Sequence, residues 1–238
     1  MLAPGRVLEY NTDQCEDHIT SGGRLMDITW YGHACFRLYQ RGASVVTDPF
    51  EKSIGYELPR VRADIVTVSH DHPGHRNAKG VRSRKLTVTG PGEYEVRDVF
   101  ITGIATFHDG KKGRVRGRNT IYLFDFDGLK ICHLGDLGHV PSQAQVEALN
   151  SVDVLLIPVG GVSTINAAQA AEVVSLLEPK LVVPMHFKTP SLAFRLDQVS
   201  KFLKAMGLDD VSPQETLSVT KTSLPEETQV ILLELKEG

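Results

Sequence analysis

The sequence predicts an α+β protein built as an αββα sandwich: two packed, mainly antiparallel sheets with helices outside. Three observations carry this expectation. Short β-branched or aromatic runs, each closed by Gly, Pro, Asp or His, recur along the chain from residue 26. Some flank tight turns, as in FDFDGLKI around Asp127-Gly128, which is the pattern of an antiparallel hairpin. Helical patterns are few, come late and are interleaved with strands, which suits helices that cover sheets packed face to face.

Taken in order, residues 1–25 lack hydrophobic periodicity and lack the unbroken apolar core of a signal peptide. They read as an N-terminal extension without a function of its own, with Met26 as an alternative start. Strands are expected over 28–31, 34–39, 44–47, 65–69, 86–89, 99–107, 120–126, 129–133, 154–159, 181–184, 217–220 and 230–235. Gly90-Pro91-Gly92 and Gly160-Gly161 read as turns. Helices are expected over 142–149 and over 167–177, the second stopped by Pro179. Leu196, Val199, Leu203 and Met206 recur at helical spacing and mark one face of a third. No linker or repeat divides residues 26–238, which read as a single domain.

Composition narrows the function classes. The 238 residues are 41% hydrophobic and 23% charged, enough for a sizeable core and unlike a disordered chain. With 26 Lys and Arg against 29 Asp and Glu, the formal charge of −3 argues against a dedicated nucleic-acid binder. No apolar run approaches the roughly 18 residues that a membrane span needs. Three cysteines (Cys15, Cys35 and Cys132) without CxxC spacing imply no disulfide framework and fit a reducing, cytoplasmic compartment. Cys35 and Cys132 lie in strand patterns and read as core thiols. Gly161-Val162-Ser163-Thr164-Ile165 lacks the closing Gly of a nucleophile elbow, which disfavours a serine hydrolase. No phosphate-binding Gly motif occurs.

The nine histidines are not scattered. The strand DIVTVS runs into His70-Asp71-His72-Pro73-Gly74-His75. Another ends in Thr106-Phe107 before His108-Asp109, LKIC runs into His133-Leu134-Gly135-Asp136 with His139 beyond, and LVVP runs into Met185-His186. Four strands thus deliver imidazoles or a carboxylate just past their C-terminal ends, where neighbouring strands can converge on one edge. A lone strand-end histidine is usually packed or solvated. An HxHxxH cluster with three further strand-end groups reads instead as a site for a borderline divalent ion, zinc first, with manganese or iron admitted.

At these residues the sequence resembles the metallo-β-lactamase-fold hydrolases. SHDHPGH, TFHD, CHLGDLGH and VPMHF look like that superfamily's ordered ligand motifs. WYGHACFRL and VVTDPF resemble its lactonase-like branch, which includes the ascorbate-6-phosphate lactonase and N-acylphosphatidylethanolamine phospholipase D families. The match runs from about Asp27 to Pro190. It implies that His70, His72 and His108 bind a first metal, that His75 and His186 bind a second, and that Asp136 bridges them. The superfamily pattern is HxHxDH, and its Asp completes the second site. Gly74 stands at that position here, which predicts a weak or empty second site, with one strongly held ion per chain.

The implied chemistry is hydrolysis by a metal-bound hydroxide, because bound zinc lowers the pKa of its water from about 15.7 to about 7. The catalytic assignments are Asp136, to orient that water, and His33, as a proton-transfer or supporting group, with packing between two strands as its other reading. Asp48, before Pro49, is expected to support the ligand loop rather than to bind metal. Lys111-Lys112-Gly113-Arg114-Val115-Arg116-Gly117-Arg118 reads either as a solvated hairpin or as a basic lid that draws an anion to the metal edge. Arg118 is expected to contact substrate, and Asn119 either to do the same or to hold the turn. The expected substrate is a small, anionic ester, lactone or phosphodiester, with self-association left open. The alternatives are a nuclease of the same fold, disfavoured by the acidic balance and by the lack of room for a large inserted domain, and a metal-binding protein with little catalysis, motivated by Gly74.

Overall fold

A computed structural model describes residues 23–236. Cys15 and nearly all of the expected N-terminal extension therefore lie outside the described residues. The chain runs β1 (Met26–Gly32), β2 (Cys35–Gln40), β3 (Ala43–Thr47), β4 (Ile65–Thr67), β5 (Leu86–Val88), β6 (Gly92–Val96), β7 (Val99–Phe107), β8 (Arg118–Phe126) and β9 (Leu129–His133). There follow α1 (Gln143–Leu149), β10 (Val154–Pro158), α2 (Ala167–Leu177), β11 (Leu181–Met185), α3 (Val199–Ala205), β12 (Leu217–Val219) and β13 (Gln229–Val230).

The strands form two sheets, ordered β12-β1-β2-β3-β4-β5 and β13-β11-β10-β9-β8-β7-β6. Antiparallel pairing dominates narrowly. The β12-to-β3 and β6-to-β9 portions are antiparallel, whereas β3-β4-β5 and β9-β10-β11-β13 are parallel. This mixture positions the site. In the first sheet β1, β3 and β4 run in the same direction; in the second, β7, β9 and β11 do. The loops that leave these six strands therefore share one edge in each sheet. In the parallel part, β10 (VLLIP) and β11 (LVVPM) are apolar throughout, because both of their faces are covered.

One apolar cluster joins the inner faces of both sheets, including Ile28, Phe36 and Leu38 of the first with Tyr122, Phe124 and Leu155 of the second. The buried residues of all three helices enter the same cluster: Leu149, Val173 and Val174, and Phe202 and Leu203. The outward residues Cys35, Val46 and Val66 of the first sheet pack instead against Phe50, Ile54, Tyr56, Leu192 and Leu196, so that face is covered by connecting segments. Polar ties cross between the sheets, with Tyr122 Oη donating to Val68 O at 2.9 Å and His133 Nε2 2.8 Å from Ala34 O.

Local chemistry explains most boundaries. Ser142 and Asn166 cap α1 and α2, each in a capping box with the glutamine three residues on. Three elements differ from the expectation. The Gly90-Pro91-Gly92 turn signal hides β6, an edge strand whose glutamates face out and which turns into β7 through Arg97 and Asp98, both left-handed. Leu196 belongs to the cluster outside the first sheet, so α3 begins only after Gln198. The last expected strand leaves the sheet after Val230, with only a bridge from Leu233 to Gln214 beyond it. Among the described residues, no helix is long and apolar enough to cross a membrane.

Candidate metal centre

The shared strand ends bring seven side chains to one place. His70, His72 and His75 come from the turn after β4, His108 from the end of β7, Asp136 from the loop after β9 and His186 from the end of β11. His33 joins them from the β1–β2 turn. Asp136 sits at the centre, its Oδ2 lying 3.1 Å from His108 Nε2, 3.2 Å from His75 Nε2 and 3.8 Å from His70 Nε2. Its Oδ1 lies 3.3 Å from His186 Nε2. Three overlapping groups have donor atoms within 4.8 Å of one another: His33, His75, Asp136 and His186; His70, His72 and His75; and His70, His108 and Asp136. His70 and His108 thus share a group with Asp136, while His72 is exposed and approaches only His70 and His75.

Asp48 stands behind this cluster, fully buried and left-handed, directly after β3. Its Oδ1 accepts Ser69 N–H at 2.7 Å, and its Oδ2 accepts Ser69 Oγ–H at 2.6 Å and His75 Nδ1–H at 2.8 Å. Because the single Ser69 hydroxyl proton goes to Asp48, its oxygen accepts from His70 Nδ1, 3.0 Å away. One carboxylate therefore sets two imidazoles with Nδ1 protonated and Nε2 turned to the cluster.

The charges follow from this packing. Burial works against a charged His75, yet Asp136 and Asp48 on either side outweigh it and hold the imidazole up to about 10. Burial, with help from His75, pushes His70 down to about 3. Burial and then His186 and His75 push His33 well down. Burial opposes the charge on Asp136, but His186 and His75 overcome it and keep the carboxyl well below the usual range.

The remaining sequence-predicted residues fall around the cluster. Asn119 is buried and holds the turn: its Oδ1 accepts Asp136 N–H at 2.9 Å, and its Nδ2 donates to Thr106 Oγ1 and Leu134 O. Arg118 opens β8 opposite Phe107 and is exposed. The basic segment is folded around a residue the sequence reading left without a role. Asp109 accepts backbone N–H bonds from Lys111, Gly113, Val115 and Arg116, which hold its carboxyl down at about 2. Arg116 also donates to Val162 O at 3.1 Å, tying this loop to the segment after β10. His133 and His139 stay outside the cluster, spending ring nitrogens on Ala34 O and Val140 O.

A donor set with these properties fits a divalent cation. Buried atoms without a hydrogen-bond partner are His33 Nδ1, His70 Nε2, His75 Nε2, His108 Nδ1, His186 Nδ1 and Asp136 Oδ1, and outside the cluster only Thr67 Oγ1, among the described residues. Buried polar atoms are normally paired, so six unpaired ones on the side chains of one cluster mark a site built for a further partner.

Comparison with known proteins agrees with this geometry. Residues 27–186 match a family profile described as a beta-lactamase superfamily domain. A UPF0173 protein of Pyrococcus furiosus is 30% identical over 195 residues, spanning 71% of this chain and 86% of its own. A UPF0173 metal-dependent hydrolase of Nitratidesulfovibrio vulgaris is 29% identical over 234 residues, spanning 82% and 96%. A Thermotoga maritima protein, solved as a candidate zinc-dependent hydrolase of the metallo-β-lactamase superfamily, superposes with a TM-score of 0.73 at 42% identity, covering 87% of this chain and 98% of its own.

Proposed function

Because the chain belongs to the metallo-β-lactamase superfamily, we propose that it is a zinc-dependent hydrolase of a small anionic ester, lactone or phosphodiester. The observation that carries the reading is the cluster of imidazoles around Asp136, whose side chains hold nearly all the buried polar atoms that lack a hydrogen-bond partner among the described residues. His70, His72 and His108 would hold one ion with Asp136, and His75 and His186 a second with the same carboxylate. A divalent ion bound there supplies a Lewis acid and a nucleophile drawn from water at neutral pH.

The chain's own groups supply the rest. Asp136 stays ionised at neutral pH and offers Oδ1, which lacks a hydrogen-bond partner, as the acceptor that orients the attacking water. Asp48 keeps His75, and through Ser69 also His70, in the orientation that points Nε2 inward. The basic segment carries Lys111, Lys112, Arg114, Arg116 and Arg118 within ten residues after His108, and Asp109 fixes its backbone, so these charges would form a rim beside the site. Such a positive rim attracts an anionic substrate and raises its local concentration.

Purified protein stripped of metal and reloaded with zinc, manganese or iron would be assayed on lactones, carboxylic esters and bis(p-nitrophenyl) phosphate. Zinc-dependent turnover that Asp136→Asn abolishes is the expected result. Metal uptake without turnover of any panel member would replace the enzyme with a metal-binding protein, and no metal uptake at all would overturn the reading outright.

A further inference from the structure

We infer that the imidazole of His33 takes the second-metal position that an aspartate at residue 74 fills in the HxHxDH pattern, so that this chain holds two ions. The inference rests on the metal-hydrolase reading and departs from the expectation, drawn from Gly74, of a weak or empty second site.

The space around Gly74 motivates it. A Cβ built on Gly74 would stand 2.9 Å from His33 Nε2 and 3.0 Å from His33 Cδ2, inside the distance real Cβ contacts keep. Gly74 does not have a positive φ, so the backbone there does not itself call for glycine. What excludes a side chain at residue 74 is the His33 ring, which occupies the volume an aspartate would enter. Glycine at one position and histidine at the other, 41 residues earlier, are complementary halves of one substitution.

The ring also has a donor to offer. His33 shares a group with His75, Asp136 and His186, all four buried, and its Nδ1 has no hydrogen-bond partner. A merely packed histidine would be expected to satisfy that nitrogen. Its centroid lies 4.0 Å from that of His186 and 4.9 Å from that of His75, so it is lodged among the other groups proposed for the second ion. The backbone holds it there. His33 is left-handed, and its carbonyl accepts from Trp30 Nε1 at 3.1 Å and from His186 N at 3.0 Å, tying the β1–β2 turn to the end of β11. Non-glycine residues in that conformation persist only where their surroundings fix them.

The exchange alters the chemistry of the position. Three imidazoles and one shared carboxylate carry one negative charge fewer than two imidazoles and two carboxylates. Imidazole suits zinc, whereas carboxylate suits manganese and magnesium. The second position should therefore take zinc or cobalt and discriminate against manganese.

The test is metal stoichiometry. Metal-free protein is titrated with zinc or cobalt, passed through a desalting column and analysed for metal, with folding followed by circular dichroism. Wild type should retain two ions and His33→Ala one. Gly74→Asp alone should gain nothing, because the ring blocks the new side chain, whereas His33→Ala with Gly74→Asp should recover the second ion. Nitrogen-15 NMR of the histidines in wild type needs no variant: the His33 ring signal should shift as the second equivalent of zinc binds. Two ions retained in a folded His33→Ala protein, or a His33 signal unmoved through the titration, would overturn the inference. Wild type holding a single ion would also overturn it while leaving the hydrolase reading standing, and wild type holding none would overturn both.

Discussion

Asp48→Asn isolates the carboxylate that organises the cluster without touching the groups proposed as ligands. The replacement keeps the size of the side chain and removes its charge. Asp48 is fully buried, and it accepts three hydrogen bonds, from Ser69 N, Ser69 Oγ and His75 Nδ1. An amide can serve Ser69 N through its oxygen, but its NH2 then faces the Ser69 hydroxyl and His75 Nδ1. If it donates to His75 Nδ1, the proton of the neutral ring moves to Nε2, the atom 3.2 Å from Asp136. That tautomer offers the cluster a proton instead of a lone pair. Removing one partner of a buried charged pair costs about 3–5 kcal/mol. For a chain of this size that lowers Tm by roughly 6–20 °C, at about 2–4 °C per kcal/mol.

Losing a group that orients metal-binding histidines also weakens metal affinity by about 10–100-fold, equivalent to about 1.4–2.8 kcal/mol. Thermal unfolding of the metal-free protein and zinc titration against a competing chelator read the two effects separately. A lower Tm with unchanged zinc affinity would refute the orienting role and leave Asp48 as a structural residue only.

Three further perturbations probe other parts of the site. A Cβ on Gly138 would meet Asp109 N and the His108 carbonyl carbon at 2.3 Å, all backbone, so Gly138→Ala should push the Asp136 loop off His108; turnover should fall about 100-fold if the groups move by about 1 Å. Gly110→Ala, where the nearest atom is 3.9 Å away, is the control and should behave as wild type. Neutralising Lys111, Lys112 and Arg114 together should lower kcat/KM about tenfold at low salt and flatten its salt dependence; an unchanged salt response would return the segment to a solvated hairpin. Because backbone N–H groups hold the Asp109 carboxyl down at about 2 from 3.8, its contribution to loop order is fully present above about pH 4 and is lost as pH falls toward 2. Amide exchange at Lys111, Gly113, Val115 and Arg116 should track that loss, and Asp109→Ala should leave those amides fast at every pH.

The strands legible in the sequence are those whose side chains announce them, such as the β-branched runs of β3, β10 and β11 and the Asp127-Gly128 hairpin between β8 and β9. What stayed hidden has a physical reason in each case. The edge strand β6 alternates exposed glutamates with half-buried Tyr94 and Val96, a weak apolar signal directly after a Gly-Pro-Gly turn. The direction of pairing is a property of where the chain returns, so the parallel halves of both sheets could not be read from composition. Leu196 keeps helical spacing with Val199 and Leu203 yet packs outside the first sheet, because three apolar residues at that spacing do not say which cluster each will join.

The site divides along the same line. His70, His72, His75, His108, Asp136 and His186 stand out because each lies just beyond a recognisable strand, and strand ends are where side chains can meet. Asp109 lies just beyond a strand as well, but its partners are backbone N–H groups of the loop that follows, and the sequence shows that loop only as a run of basic residues. His33 shows the deeper limit. Read position by position, Gly74 is a missing ligand and His33 a proton-transfer or supporting group, or a histidine packed between two strands. A metal site, however, selects donors by where their atoms arrive and by which neighbours leave them room. The absence of a side chain at residue 74 is what admits the ring from the β1–β2 turn, so the two positions carry their meaning only as a pair, and the pair exists only once β1 and the loop after β4 are folded against each other.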